Sequence, residues 1–373
     1  MAKEKLEKTF NKLQTAVGID DVFGGVENLT DLETVYELIV ADCDPEKYPE
    51  PENKELARDA RVMLDDFFAK AKEHLRDGGS CSIFGGEVEE SIKGSTLVKI
   101  KDREYMIQRF LAEGDLCNVY EGVCLGSDKT AGRVIFKIIA DSENNFLLRN
   151  ELNVLELFQK NPAPQHKHLP VILDKFQTGE NQLALILRYI DAITLSELKQ
   201  RPKYQNGVPA RHAVWILERL LSVVGYAHNQ GVIHGNIKPA NIMIRGDNHN
   251  LYLLDWCGAA VQPKITADDF KVFSENFSAP EVDPENPLHK EGTLPVPPAD
   301  MYSIGKTMIH IMGGNIHDNS FPADVDERLQ RFIQYFVRES PIQRARDAWE
   351  MYHALKELRK EIFPNARFEP MTF

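Results

Sequence analysis

Glycines at 78, 79, 85, 86 and 94, with Ser80 and Ser95 beside them, divide this chain into two parts of different periodicity. Glycine leaves the backbone so much freedom that neither a helix nor a strand is expected to run through such a stretch. Upstream the pattern is helical. Leu6, Phe10, Leu13 and Val17 recur at i, i+4, i+7 and i+11 and stop at Gly18, and Leu29 to Val40 continues with Thr30 and Asp31 as capping candidates. A third helix from Asn53 to Arg76 carries Leu56, Ala60, Met63, Leu64, Phe67, Ala71 and Leu75 on one face, with Gly78 beyond its end. Downstream, strands begin near Thr96. The expected organisation is a helical module over 1–77, a linker over 78–96, a mixed α+β domain over 97–363 and a tail over 364–373, where Pro364 and Pro370 oppose helix.

Composition narrows the class of protein. With 43% hydrophobic and 27% charged residues the chain can bury a large core and still present a soluble surface. A net charge of −13 speaks against nucleic acid or a membrane surface as partner and mildly favours basic partners. No apolar run approaches the length of a membrane span, and the opening Met1-Ala2-Lys3-Glu4-Lys5 is too charged for a signal peptide. Cysteines at 43, 81, 117, 124 and 257 show no C-x-x-C pairing or metal spacing, and their odd number implies free thiols in a reducing cytoplasm.

The chemistry-bearing residues lie in the downstream part. The run His234-Gly235-Asn236-Ile237-Lys238-Pro239-Ala240-Asn241 resembles the catalytic loop of protein kinases, H-R-D-x-K-P-x-N. In that family the aspartate receives the proton of the substrate hydroxyl, the lysine approaches the γ-phosphate and the asparagine holds Mg²⁺. Here Lys238 and Asn241 match, while Asn236 stands in the place of the catalytic aspartate. A carboxamide can orient a hydroxyl but has no basic site near neutral pH. General-base help is worth roughly 10²–10⁴-fold, so the resemblance implies a weak kinase or a dead one. Gly235 replaces the arginine that clamps a phosphorylated activation segment. Thr266, Ser274 and Ser278 in that segment are therefore expected to be solvated loop residues.

The other kinase motifs follow in order. Leu111 to Tyr120 resembles the glycine-rich phosphate loop and its following strand valine, Val119, but keeps only Gly114, with Ala112 and Cys117 at the other glycine positions. Val134-Ile135-Phe136-Lys137 resembles the strand whose lysine pairs the α- and β-phosphates, and Glu151 occupies the place of its ion-pair partner. Leu187 takes the gatekeeper position, so the backbones of Arg188 and Tyr189 are expected to meet adenine, in a slot that Ile135 narrows. Leu254-Asp255-Trp256-Cys257-Gly258 resembles the D-F-G turn, with Asp255 as the Mg²⁺ ligand and Gly258, one place late, restoring a flexible turn. Ala279-Pro280-Glu281 matches the end of the activation segment, and Arg344 falls where the family has the arginine that pairs with its glutamate.

The resemblance implies an α+β, bilobal fold with a small β-rich lobe and a large helical lobe, preceded by an all-α module, and it implies ATP and Mg²⁺ as cofactors. Small-molecule kinases of the aminoglycoside phosphotransferase type share a glycine after the histidine, but Lys238 and Ala279-Pro280-Glu281 favour protein kinases. In the upstream part, Tyr36 to Ile39, the turn Asp44-Pro45-Glu46 and the long helix that follows faintly resemble the second half of a J domain. The H-P-D histidine is missing, and an unrelated helical bundle fits as well. Such a module would offer a link to a chaperone. Three functions fit the whole: an ATP-binding pseudokinase or weakened Ser/Thr kinase acting on or through a protein partner; an active kinase whose aspartate was changed at 236; and a nucleotide-free scaffold.

Overall fold

The computed structural model describes residues 2–15, 22–23, 29–76, 96–100, 103–114, 116–125, 131–178, 180, 182–266, 268–290, 294–365 and 367–373. The glycine-bearing stretch from 78 to 95, and Val17 and Gly18, lie outside these residues. The described chain falls into two compact units. The first comprises Met1–Asn145, Pro162–Lys167 and Val171–Tyr189; the second comprises Phe146–Asn161, His168–Pro170 and Ile190–Phe373.

In the first unit the helices fall where their apolar spacing puts them: α1 (Ala2–Thr15), α2 (Leu29–Val40) and α3 (Pro51–Arg76), the last starting two residues earlier than expected. Leu6, Phe10, Leu13, Leu32, Ala57, Ala60 and Leu64 are buried in their shared core, with Met63 and Phe67 packed against it. Glu33 pairs with Lys72 at 3.5 Å, Tyr36 stacks on Phe68 at 3.9 Å, and the Arg61 guanidinium donates to the Tyr36 hydroxyl at 3.1 Å. Early α2 residues thus meet late α3 residues, which makes the two helices antiparallel. The turn between them contains Asp44-Pro45-Glu46. Asp44 accepts from the Glu46 N–H at 3.1 Å, and Pro45 takes a first-turn position, where a missing N–H costs nothing.

The same unit holds a six-stranded antiparallel sheet in the order β1-β2-β3-β4-β6-β5. Its strands are β1 (Thr96–Ile100), β2 (Arg103–Glu113), β3 (Cys117–Leu125), β4 (Ala131–Ile139), β5 (Ile172–Gln177) and β6 (Leu183–Arg188). Tyr105, Val134, Phe136 and Ile186 fill one face, and Phe136 meets Tyr105 and Phe176 edge-on at 6.3 Å each. Lys167, ahead of β5, forms an ion pair with Asp59 of α3, both side chains being largely buried.

The second unit is helical. It contains most of α4 (Asn145–Lys160), with α5 (Leu195–Gln200), α6 (Ala210–Asn229), α7 (Pro297–Ile311), α8 (Glu327–Gln334) and α9 (Ala348–Ile362). The expected stripe of α6, Val214, Leu217, Leu221, Val224 and Ala227, is fully buried. Short strands complete it: β7 (Ile193–Thr194), β8 (Val232–Ile233), β9 (Ile242–Ile244), β10 (Leu251–Leu253) and β11 (Ala260–Val261). Arg344 and Glu281 form the expected pair through two bonds of 2.7 and 3.1 Å, at 0% and 4% exposure. The guanidinium also donates to the carbonyls of Pro298, Arg338 and Glu339, so its charge is buried with its donors satisfied. No described helix is long and apolar enough to cross a membrane.

Candidate active site

The β9–β10 hairpin brings two segments of the candidate site together. Ile242 pairs with Leu253, which places the flanking residues opposite each other, and the Leu254 N–H donates to the Asn241 carbonyl at 2.8 Å. Asp255 follows in the left-handed region, φ 63° and ψ 65°, which turns its carboxylate towards Asn241. The Asn241 amide donates to the Asn236 carbonyl at 2.9 Å and to Asp255 Oδ2 at 3.4 Å. The Asn236 amide donates to the same Asp255 oxygen at 3.1 Å, and the Cys257 thiol donates to the other at 3.1 Å.

The loop carrying Asn236 is clamped from beneath by Asp300 of α7, which is fully buried. Its carboxylate accepts the N–H groups of His234 and Gly235 at 2.8 Å each and meets His228 Nε2 at 2.9 Å. Burial alone would raise this carboxyl; the bonds and charges from His228, His234 and Gly235 outweigh it and hold it below its ordinary value. Gly235 has φ +75°, a conformation that an arginine would occupy only with strain, so the residue that replaces the family's arginine suits its backbone. Trp256 is buried in the place of the usual phenylalanine. It donates to the Leu253 carbonyl at 3.0 Å and packs against His234 at 4.5 Å and Phe158 at 5.0 Å.

One expectation changes here. Ser278 is buried and Ser274 is half-buried: the Ser274 hydroxyl donates to Asn236 Oδ1 at 2.9 Å, and Ser278 accepts the Ser274 N–H at 2.9 Å. Thr266 is exposed, as expected, with its hydroxyl donating to the Val261 carbonyl at 2.8 Å. A Cβ on Gly258 would fall 2.3 Å from Val272 Cγ2, so this position is closely packed, while the left-handed residue of this turn is Asp255. Asn150 of α4 fastens the turn by donating to the carbonyls of Cys257 and Ala259 at 2.9 and 2.7 Å.

In the first unit, Gly114 closes a tight turn through its N–H to the Cys117 carbonyl at 2.9 Å, and Val119 and Lys137 are cross-strand neighbours. The Arg188 N–H is bonded to the Val171 carbonyl at 2.9 Å and the Tyr189 N–H to the Arg133 carbonyl at 3.4 Å. Both N–H groups expected to meet adenine are therefore used within the sheet, which leaves these two residues only carbonyls to offer a base edge. The Arg133 guanidinium lies 3.5 Å over the Tyr189 ring and Arg133 also binds Glu121, which fixes this end of the sheet. Glu151 is 1% exposed on α4, and it and Lys137 belong to different units. Asn236, Asn241 and Asp255 are thus brought together; Lys238 lies half-buried on the same loop.

This set offers a carboxylate and a carboxamide oxygen, since the Asn241 N–H₂ is already used. Hard oxygen donors of this kind fit Mg²⁺. Asn236 can hold a hydroxyl, as it holds that of Ser274, and has no site on which to keep its proton.

The sequence profile of the protein kinase domain matches residues 105–361, more than half of the chain. Serine/threonine-protein kinase D of Synechocystis is 24% identical over 253 residues, covering 60% of this chain and 46% of the relative. A probable serine/threonine-protein kinase of Saccharomyces cerevisiae, FMP48, is 26% identical over 227 residues, covering 57% of this chain and 59% of the relative. Serine/threonine-protein kinase PrkC of Bacillus subtilis is 23% identical over 244 residues, covering 64% of this chain and 34% of the relative. The chain spans between about a third and three fifths of the length of these curated relatives. With its sheet unit, its helical unit and this ordered set of motifs, the chain belongs to the protein kinase family.

Proposed function

We propose that this chain is an ATP-binding pseudokinase, or a strongly weakened Ser/Thr kinase, that acts through a protein partner in the cytoplasm. The observation that carries the reading is the position of Asn236. Its amide is bonded to Asp255 on one side and to the Ser274 hydroxyl on the other. The side chain therefore stands where a hydroxyl is received, in a form that accepts a hydrogen bond and not a proton. Asn241 and Asp255 are the residues proposed to hold Mg²⁺, which when bound neutralises phosphate charge. Lys137, beside Val119, is proposed to bind phosphate oxygens, with Glu151 as its partner residue and the turn at Gly114 covering the phosphates. Lys238 is proposed to stabilise the terminal phosphate. The carbonyls of Arg188 and Tyr189 remain the backbone groups of those residues for adenine. Among the described residues Cys43, Cys117, Cys124 and Cys257 form no disulfide, which suits a reducing compartment.

Thermal melting with and without Mg-ATP tests the binding half of the proposal. A ligand at 100 times its Kd adds about 2.7 kcal/mol to stability. Mg-ATP is expected to raise the melting temperature of the parent and to lose most of that effect in Lys137→Ala and Asp255→Ala. An unchanged melt in the parent would favour the nucleotide-free scaffold.

A further inference from the structure

The segment Arg367–Phe373 packs on the rest of the second unit and makes specific contacts along its length. The Met371 N–H donates to the Gly246 carbonyl at 2.7 Å, and Met371 is 4% exposed. A Cβ on Gly246 would fall 2.1 Å from the Met371 carbonyl oxygen and 2.8 Å from the Phe373 ring, so this contact requires glycine. Lys203 donates to the Thr372 hydroxyl at 2.8 Å, Tyr204 donates to its carbonyl at 3.3 Å, and Glu369 forms an ion pair with Arg211. Phe368 closes a box of rings, 5.0 Å from His249 and 6.5 Å from Trp215.

His249 is the base of that box and is 1% exposed. It meets His212 edge-on at 5.0 Å and Trp215 at 6.2 Å, and neither of its ring nitrogens hydrogen-bonds to a described residue. A neutral imidazole tolerates such a site at moderate cost. An imidazolium, with two donors and a charge, does not. The ionisable groups that act on it are His212 and Arg219 of α6, Asp247 of its own turn and Glu369 of the segment; Arg211 and Lys203 act on His212, and Arg359 of α9 lies 4.7 Å over Trp215. Burial, then His212 and Arg219, bring His249 down from 6.5 to about 4, with Asp247 and Glu369 opposing.

We propose that Arg367–Phe373 is a strap released by a proton. When His249 takes up a proton, the imidazolium leaves the box that Phe368 closes, and the Met371–Gly246 bond breaks with it. The strap spans the turn that joins Asn241 to Asp255, so its release frees the outer end of that hairpin. The proposal does not depend on nucleotide binding.

The attached state holds His249 neutral, so attachment is complete above the ordinary histidine value and weakens as pH falls towards the depressed one. With values of 6.5 released and about 4 attached, the attachment equilibrium weakens roughly thirty-fold between about pH 7.5 and 5.

Hydrogen exchange of the Met371 amide in the full chain tests this, expressed as a protection factor so that intrinsic pH dependence cancels. Protection in the parent is expected to fall by that factor. His249→Phe keeps the ring packing without the proton and is expected to show equal protection at both pH values; Gly246→Ala is expected to be unprotected at both. Constant protection in the parent, or a parental fall in His249→Phe, overturns the proposal. Should His249→Phe fail to fold, NMR titration of the His249 ring serves instead. Its midpoint is expected to rise towards 6.5 in Gly246→Ala, and an identical midpoint in the two proteins overturns the proposal.

Discussion

An aspartate at position 236 could not make the bond that Asn236 makes. The Asn236 amide donates to Asp255 at 3.1 Å, and a carboxylate in its place would set like charges at that distance with no donor between them. Asn236→Asp is therefore expected to lower stability by about 1–3 kcal/mol in a chelator, and added Mg²⁺ is expected to restore part of it. Thermal melts of both proteins in EDTA and in Mg²⁺ check this; equal melts in EDTA would mean that the amide bridge contributes nothing. Asp300 makes a second residue-scale prediction. Its carboxyl is held below the ordinary value of 3.8, so its stabilising effect is present above that value and is lost as pH falls below it. The stability gap between the parent and Asp300→Asn, measured by urea unfolding, is expected to be flat above about pH 5 and to shrink below about pH 4. A gap that grows on acidification would contradict the assignment.

At the scale of elements, much was legible in the sequence because one-dimensional patterns determine it directly. Apolar spacing located α1 to α3, and the β-branched run at Val134 lies on β4. Residue order also put Asn241 and Asp255 side by side, since a hairpin with short strands leaves little choice about where its two ends meet. What was not legible depends on loops that return from a distance. Ser274 reaches Asn236 across 38 positions, and Val272 closes on Gly258; neither contact leaves a periodic trace. The N–H groups of Arg188 and Tyr189 are taken by Val171 and Arg133, a matter of sheet register that side-chain pattern does not encode. The Asp59–Lys167 pair was invisible for the same reason, and it makes the element-scale prediction. A double-mutant cycle with Asp59→Ala and Lys167→Ala is expected to give a coupling of about 1–2 kcal/mol, because both side chains are largely buried. A coupling within error of zero would show that α3 and the segment ahead of β5 are energetically independent.

For the molecule as a whole, the scaffold is that of the protein kinase family, and the proposed function turns on Asn236 within it. The buried Arg344–Glu281 pair, the Asp300 clamp and the Trp256–Phe158 packing stabilise the helical unit, and none of them requires a proton to move. On the proposed function such a scaffold keeps its fold and its proposed metal ligands, and Asn236 supplies no base for transfer. Transfer of labelled phosphate from [γ-³²P]ATP, measured side by side on the parent and Asn236→Asp with Mg²⁺ present, tests this most directly. The account predicts transfer near background in the parent and a gain on the order of 10²-fold or more in Asn236→Asp. Parental transfer as fast as that of the aspartate variant would contradict it.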